Sequence, residues 1–245
     1  MSKRKILSLA MALSIVAIMA VGATLAYFTD TDSADNVFTV GNVDITLHEV
    51  FPSESNQPVV MVPSVGSAQH GTLKNGITKE VTVSNDGTEE AYVRVHIAIP
   101  TLLDDGDPTY DASKNILHFN YDKESIGAGL WDWSKAADDN KYEGDWNAYK
   151  TTIDQIEYNV YVVTYGSILA KDEVTAQKAM SQVYLDNKTT NEDIEYYNGV
   201  LGENWEIKVV AEGAQADGFT NAYDALNTAF GAPTAAANPW NNYGK

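Results

Sequence analysis

"AYVRVHIAIP" (Ala91–Pro100) alternates without a break. Val93, Val95, Ile97 and Ile99 fall on one face, and Tyr92, Arg94, His96 and Ala98 on the other. Successive strand side chains point to opposite faces, so this period of two predicts a β-strand with one apolar face. The same period recurs to either side. "TKEVTVSN" (residues 78–85) precedes it and closes on the turn signal Asn85-Asp86-Gly87. Residues 79–99 therefore read as a hairpin or as a pair of strands crossing between two sheets. "VDITLHEV" (residues 43–50) sets Val43, Ile45 and Leu47 against Asp44, Thr46 and His48. Downstream, "ILHFNYD" (116–122), "QIEYNVYVVTYG" (155–166) and "WEIKVVAEG" (205–213) repeat the pattern. Short strands with no βαβ rhythm predict a mainly all-β fold, an antiparallel sandwich.

The connections are loops with their own composition. Residues 51–71 carry three prolines with several Ser and Gly, and 102–115 form an acidic loop. Residues 170–204 are polar and mixed, with a short apolar piece at Val183–Leu185; 172–180 reads as helix or loop. Near the end the period changes. Phe219, Ala222, Tyr223, Leu226, Ala229 and Phe230 recur at three- and four-residue steps, which predicts an amphipathic helix. Thr220 is the expected cap, and Gly231 with Pro233 the stop. The chain divides into a sandwich domain over 42–232, with loop insertions and this C-terminal helix, and a tail over 233–245 expected to be mobile.

The 245 residues carry a formal charge of −18. Such a chain repels nucleic acid and anionic lipid, which excludes nucleic-acid binding. An apolar content of 44 %, with 14 Tyr and 5 Trp, argues for a packed fold rather than an acidic disordered chain. There is no cysteine, so disulfides, thiolate zinc sites and cysteine nucleophiles are excluded together.

The N-terminus has the layout of an export signal: the basic start "MSKRK", then the uncharged apolar run Ile6–Ala23. Ala23 and Ala26 sit at the −3 and −1 positions of an A-x-A-like site, with cleavage expected between Ala26 and Tyr27. A retained apolar anchor is the alternative. Residues 1–26 hold Lys3, Arg4 and Lys5 and no acid, so losing them removes three cations and leaves −21. The segment exposed by cleavage, 27–41, is extended, sticky and acidic: Tyr27 and Phe28, then Asp30, Asp32 and Asp35, then "NVFTV" with Val37, Phe38 and Val40.

Taken together, "GATLAYFTDTD", "VFTVGNVDITL", "GTLKNGITKEVTVSNDGTEEAYVRVHI" (71–97) and "IKVVAEGAQADGF" with "AYDALNTAF" (207–230) resemble the TasA/camelysin family of Firmicutes surface proteins. Residues 100–204 show no such match. The resemblance implies a jelly-roll β-sandwich, removal of the leader by a SipW-type signal peptidase, and an extracellular place in a biofilm matrix or on a Gram-positive cell surface. It also implies fibres in which the segment after the cleavage site adds as a strand to the next subunit. Physical chemistry agrees with that role. An open sheet edge offers unpaired N–H and C=O groups that an extended peptide satisfies, and head-to-tail donation does not close on itself. Tyr27, Phe28, Val37, Phe38 and Val40 are the expected donor residues; an ordinary first strand of the chain's own sheet is the alternative.

Three other chemistries fit the residue types. The four histidines, His48, His70, His96 and His118, form no HExxH, but three lie in predicted strands and zinc would need them to converge, as a camelysin-like metallopeptidase requires. No GxSxG is present. Calcium candidates are Asp30 and Asp32, and Asp104, Asp105 and Asp107, against a solvated acidic loop as the plainer reading. Trp131, Trp133 and Trp146 offer flat faces for a sugar, as in a glycan-binding adhesin, or a structural cover for one end of the sandwich. The leading expectation is a non-enzymatic homopolymer needing no cofactor.

Overall fold

The computed structural model describes residues 29–32, 36–37, 43–52, 60–64, 74–106, 116–120, 131–132, 149–202 and 205–242. The strands are β1 (Thr29–Asp32), β2 (Asn36–Val37), β3 (Ile45–Val50), β4 (Ile77–Asn85), β5 (Ala91–Pro100), β6 (Leu117–Asn120), β7 (Trp131–Asp132), β8 (Tyr149–Ile153), β9 (Ile156–Tyr165), β10 (Met180–Leu185) and β11 (Lys208–Gln215). The helices are α1 (Asn191–Leu201) and α2 (Ala222–Phe230), followed by a short 3-10 helix, Pro239–Asn242. One sheet runs β2-β1-β11-β5-β9-β7 with β8 also on β9; the second runs β3-β4-β10-β6. The pairings are antiparallel. The fold is thus mainly β, two antiparallel sheets packed as a sandwich.

Alternation builds the main core. Val93, Val95, Ile97 and Ile99 of β5, Tyr161 and Val163 of β9, and Val209 and Ala211 of β11 meet Ile45, Val81, Val83, Phe119, Met180 and Leu185 from the facing sheet. Full burial of one such aliphatic side chain contributes about 1.5–3 kcal/mol.

β4 and β5 lie in different sheets, so 79–99 is a crossing and not a hairpin. The Asn85 side chain forces the exit. Its Oδ1 accepts from Gly87 N at 3.1 Å, and its Nδ2 donates to Glu89 O and Leu169 O. Residues 172–179 are not helical; they lie along β4 through Asn85 N–Glu173 O, Thr175 N–Val83 O and Ala179 N–Val81 O hydrogen bonds, then enter β10.

All ten residues of β5 are buried, including its polar face. What covers that face is the C-terminal region. Ala222, Ala225 and Leu226 of α2 pack on Tyr92 and Ala214, while Trp240 packs with Tyr149, Tyr158, Val160 and Val210. The expectation of a mobile tail after Pro233 is corrected for the described residues: Trp240 is 5 % exposed. An indole seated on a sheet face removes enough apolar area from water to hold the segment. The α2 cap is Asn221 rather than Thr220, its Oδ1 accepting from Asp224 N at 2.9 Å. Gly231 stops the helix with φ +82, a conformation glycine adopts without strain.

Candidate functional site

β11 is where the N-terminal segment meets the body. Thr29, Asp30, Thr31 and Asp32 pair with Ala214, Gly213, Glu212 and Ala211, and β2 adds to the outer side of β1 through Thr31–Val37 and Asp32–Asn36. Without β1 and β2, the eight residues of β11 would be an edge strand with unpaired backbone groups.

The inner face of β11 is shaped for close approach. A Cβ on Gly213 would stand 2.8 Å from Ile45 Cγ2, so only glycine lets β3 and β11 approach this near. The outer face carries Val210, Glu212 and Ala214 beneath the C-terminal cover.

Glu212 is the centre of a buried polar network. Arg94 Nε donates to Glu212 Oε2 at 2.5 Å, and His96 Nε2 lies 3.0 Å from the same oxygen. Arg94 also donates to Asn227 Oδ1 at 3.0 Å and to Gly231 O at 3.1 Å, and it lies over the Phe230 ring. The guanidinium therefore ties α2 and its cap to the β5–β11 pair. Burial pushes His96 below its ordinary pKa, against the pull of Glu212, so the ring is neutral at pH 7. Its Nε2–H then donates to Glu212, and its Nδ1 accepts from Tyr149 OH at 2.9 Å. Burial likewise raises Tyr149 far above the usual phenol range, which keeps that hydroxyl a donor. For Glu212, burial alone would raise the carboxyl; His96 and Arg94 more than offset it and hold it well below the carboxylate range. Every charge here has a partner, the condition under which buried ions are tolerated.

The other predicted residues scatter. Trp131 is corrected as a sugar contact: it is fully buried, its Nε1 donating to Gln177 O at 2.7 Å and its ring 5.0 Å from that of Tyr165. Trp133 and Trp146 lie outside the described residues. Asp104 and Asp105 do not form a joint cation site. Asp104 is buried, its Oδ2 accepting from Tyr161 OH at 2.7 Å and Asn159 Nδ2 at 3.0 Å, whereas Asp105 is exposed. Asp107 is outside the described residues, and Asp30 and Asp32 fall on β1 opposite Gly213 and Ala211. His48 bonds Ser84 Oγ at 2.8 Å on β3–β4, His96 bonds Glu212, and His118 lies 3.0 Å from Asp186 beyond β10. β3 and β6 are opposite edges of one sheet and β5 belongs to the other, so the three histidines do not converge. His70 is outside the described residues. Among the described residues no group of three or more His, Asp or Glu is placed to hold a metal. Ala23, Ala26, Tyr27, Phe28, Phe38 and Val40 also lie outside them, while Val37 is in β2.

The chain matches no protein-family model and no curated protein.

Sequence reasoning placed Arg94 and His96 on the polar face of a strand, weighed His96 as a zinc ligand, and paired neither with Glu212. The available signal was a charge at mid-strand, Arg94 between Val93 and Val95 and Glu212 after the apolar run Val209–Ala211 in "KVVAEGA". Two such strands with opposite charges pair most favourably when adjacent.

Proposed function

We propose that the chain is a secreted structural subunit that polymerises head to tail, its N-terminal segment completing the sheet of a neighbouring copy. The observation that carries this is the four-residue β1–β11 ladder at the margin of the seven-stranded sheet. That ladder is made by backbone groups, so β1 of a second molecule fits the same slot in the same register. Residues 38–42 join β2 to the body, and Val37 to Val43 is six residues, a reach of up to about 20 Å. Exchange preserves the contacts, so concentration and the strain of the connection decide between a closed monomer and a chain of subunits.

Head-to-tail exchange is heterologous and grows an open filament. Tyr27, Phe28, Val37, Phe38 and Val40 are the proposed donor side chains, and β11 the proposed acceptor edge. Jelly-roll connectivity, cleavage after Ala26 by a SipW-type signal peptidase, and a place in an extracellular matrix or on a cell surface complete the reading. A leader still attached to the membrane would hold β1 in place and delay assembly until export.

Electron microscopy tests it. The chain beginning at Tyr27 is expected to form filaments, and the chain lacking residues 27–40 to form none. Filaments from both, or monomers from both at every concentration, contradict the proposal.

A further inference from the structure

A cleft of about 240 Å³ opens at the end of the seven-stranded sheet, lined by Pro100, Tyr158, Ile156, Leu201 and Trp205 with Asp154, Glu206 and Lys208. It lies at the start of β11, beyond the stretch 211–214 that β1 covers, so it is the same cleft whichever molecule supplies β1.

Its wall and rim differ in chemistry. Trp205 supplies half-buried aromatic surface, with Ile156 and Leu201 half-buried beside it; Tyr158 and Pro100 border the cleft but are themselves buried. The Trp205 indole N–H is buried and has no acceptor among the described residues. On the rim, Lys208 Nζ lies 2.6 Å from Glu206 Oε2 and 4.0 Å from Asp154 Oδ2. The Lys208 side chain is 12 % exposed, while those of Glu206 and Asp154 are 61 % and 82 % exposed. The rim thus presents two reachable carboxylates around one covered ammonium.

The turn that carries Asp154 is also unusual. Asp154 and Gln155 have φ of 50° and 70° and join β8 to β9 across the Ile153–Ile156 pair. A two-residue hairpin turn with both φ positive favours Asn or Gly, and Gln at the second place is held at a cost. Backbone strain of this kind is retained where a local shape matters.

We propose that this cleft is a subsite for one pyranose ring of a neutral polysaccharide. A pyranose has apolar C–H faces, one of which packs on the half-buried Trp205 ring beside Ile156 and Leu201, and a girdle of hydroxyls, which donate to Asp154 and Glu206. The rim carries one net negative charge, which repels an anionic sugar. A cationic ligand must share carboxylates that Lys208 already engages. A purely apolar peptide side chain would strip water from the rim and return no hydrogen bonds. The ring therefore uses both halves of the cleft, and a subunit with this subsite would attach its polymer to a glycan. The inference does not depend on strand exchange.

Calorimetric titration of the chain beginning at Tyr27 tests it, with cellohexaose, maltohexaose and the N-acetylglucosamine hexamer as neutral probes. The galacturonate and glucosamine hexamers serve as anionic and cationic comparators. Saturable binding of at least one neutral probe is expected, weakened fivefold or more by Glu206→Ala and by Trp205→Phe. Asp154→Gly, which relieves the positive φ, is expected to weaken binding while keeping the fold, as read by its thermal melt. Binding of a charged hexamer alone, no saturable binding of any neutral probe, or binding unchanged in all three variants overturns the proposal.

Discussion

Thr31 of β1 stands opposite Glu212 of β11, the carboxylate that Arg94 and His96 hold from β5. The strand that receives the N-terminal segment is therefore the strand fixed by buried charge from its other neighbour. Residue 94 also reaches α2, so one side chain joins the acceptor strand to the C-terminal cover.

Removing one partner of a buried ion pair strands the other. Arg94→Met is expected to lower the unfolding free energy by about 3–5 kcal/mol, and Arg94→Met with Glu212→Leu by less than the two single changes together. Urea unfolding at pH 7 measures it. A loss under about 1 kcal/mol for Arg94→Met would mean the network does not anchor the sheet.

The acid response has two opposing parts. His96 is held neutral in the fold, burial keeping its pKa below the ordinary 6.5. As pH falls through 6.5 the unfolded chain takes up the proton first, so this contribution declines toward acid. Asp104 runs the other way. Burial raises it from 3.8 to about 6, against the hydrogen bonds from Tyr161 and Asn159, so its protonation favours the fold as pH falls from about 6 toward 3.8. Asp104→Asn is expected to stabilise at pH 7.5 by on the order of 2 kcal/mol and by much less at pH 4.5. His96→Gln is expected to flatten the acid slope between pH 7 and 5. Melting temperatures across pH 4.5–7.5 for the three proteins check both signs.

Gly213→Ala places a methyl 2.8 Å from Ile45 Cγ2. The sheets must separate locally, at a cost of about 1–3 kcal/mol. Ile45→Ala removes the obstructing atoms, so the double variant is expected to be more stable than the sum of the single changes predicts. Strict additivity in urea melts would show that β3 and β11 do not constrain each other here.

Period told which residues share a face, but not what lies against that face. Val93, Val95, Ile97 and Ile99 were legible as core because an apolar face has one destination. Arg94 and His96 looked solvated because the residues that cover them, Leu226, Asn227 and Trp240, come more than 120 positions later. Trp240 sits in a polar run and gave no periodic signal. α1 was missed although Thr190 and Asp193 form a capping box, Thr190 accepting from Asp193 N at 3.2 Å. Only Ile194, Tyr197 and Leu201 of that helix pack on the core, a stripe too sparse to stand out. β8, "YKTTI", has apolar residues only at its two ends, so alternation is weak there. Trp131 carried two readings, sugar contact or structural cover, because its neighbours Asp132 and Trp133 are ambiguous, and the Tyr165 and Gln177 contacts show that it is buried.

Assembly of subunits carrying −21 brings like charges together. Filament growth from the chain beginning at Tyr27 is expected to quicken with salt, acid or millimolar calcium, since about 0.1 M salt screens beyond roughly 10 Å. Light-scattering growth curves indifferent to all three would contradict this.

The most direct measurement uses the absence of cysteine. Thr29 and Ala214 are opposed across the β1–β11 ladder, within the reach of a disulfide once both are cysteine. Thr29→Cys is made in one preparation and Ala214→Cys in another, each starting at Tyr27, and the two are mixed, assembled and oxidised. Neither protein can form this bond within itself. Strand exchange predicts a disulfide dimer containing one chain of each kind, absent when the second cysteine stands at exposed Asp154, away from β1, instead of at Ala214. No mixed dimer at any concentration, with a ready intramolecular bond when both cysteines share one chain, would contradict the account.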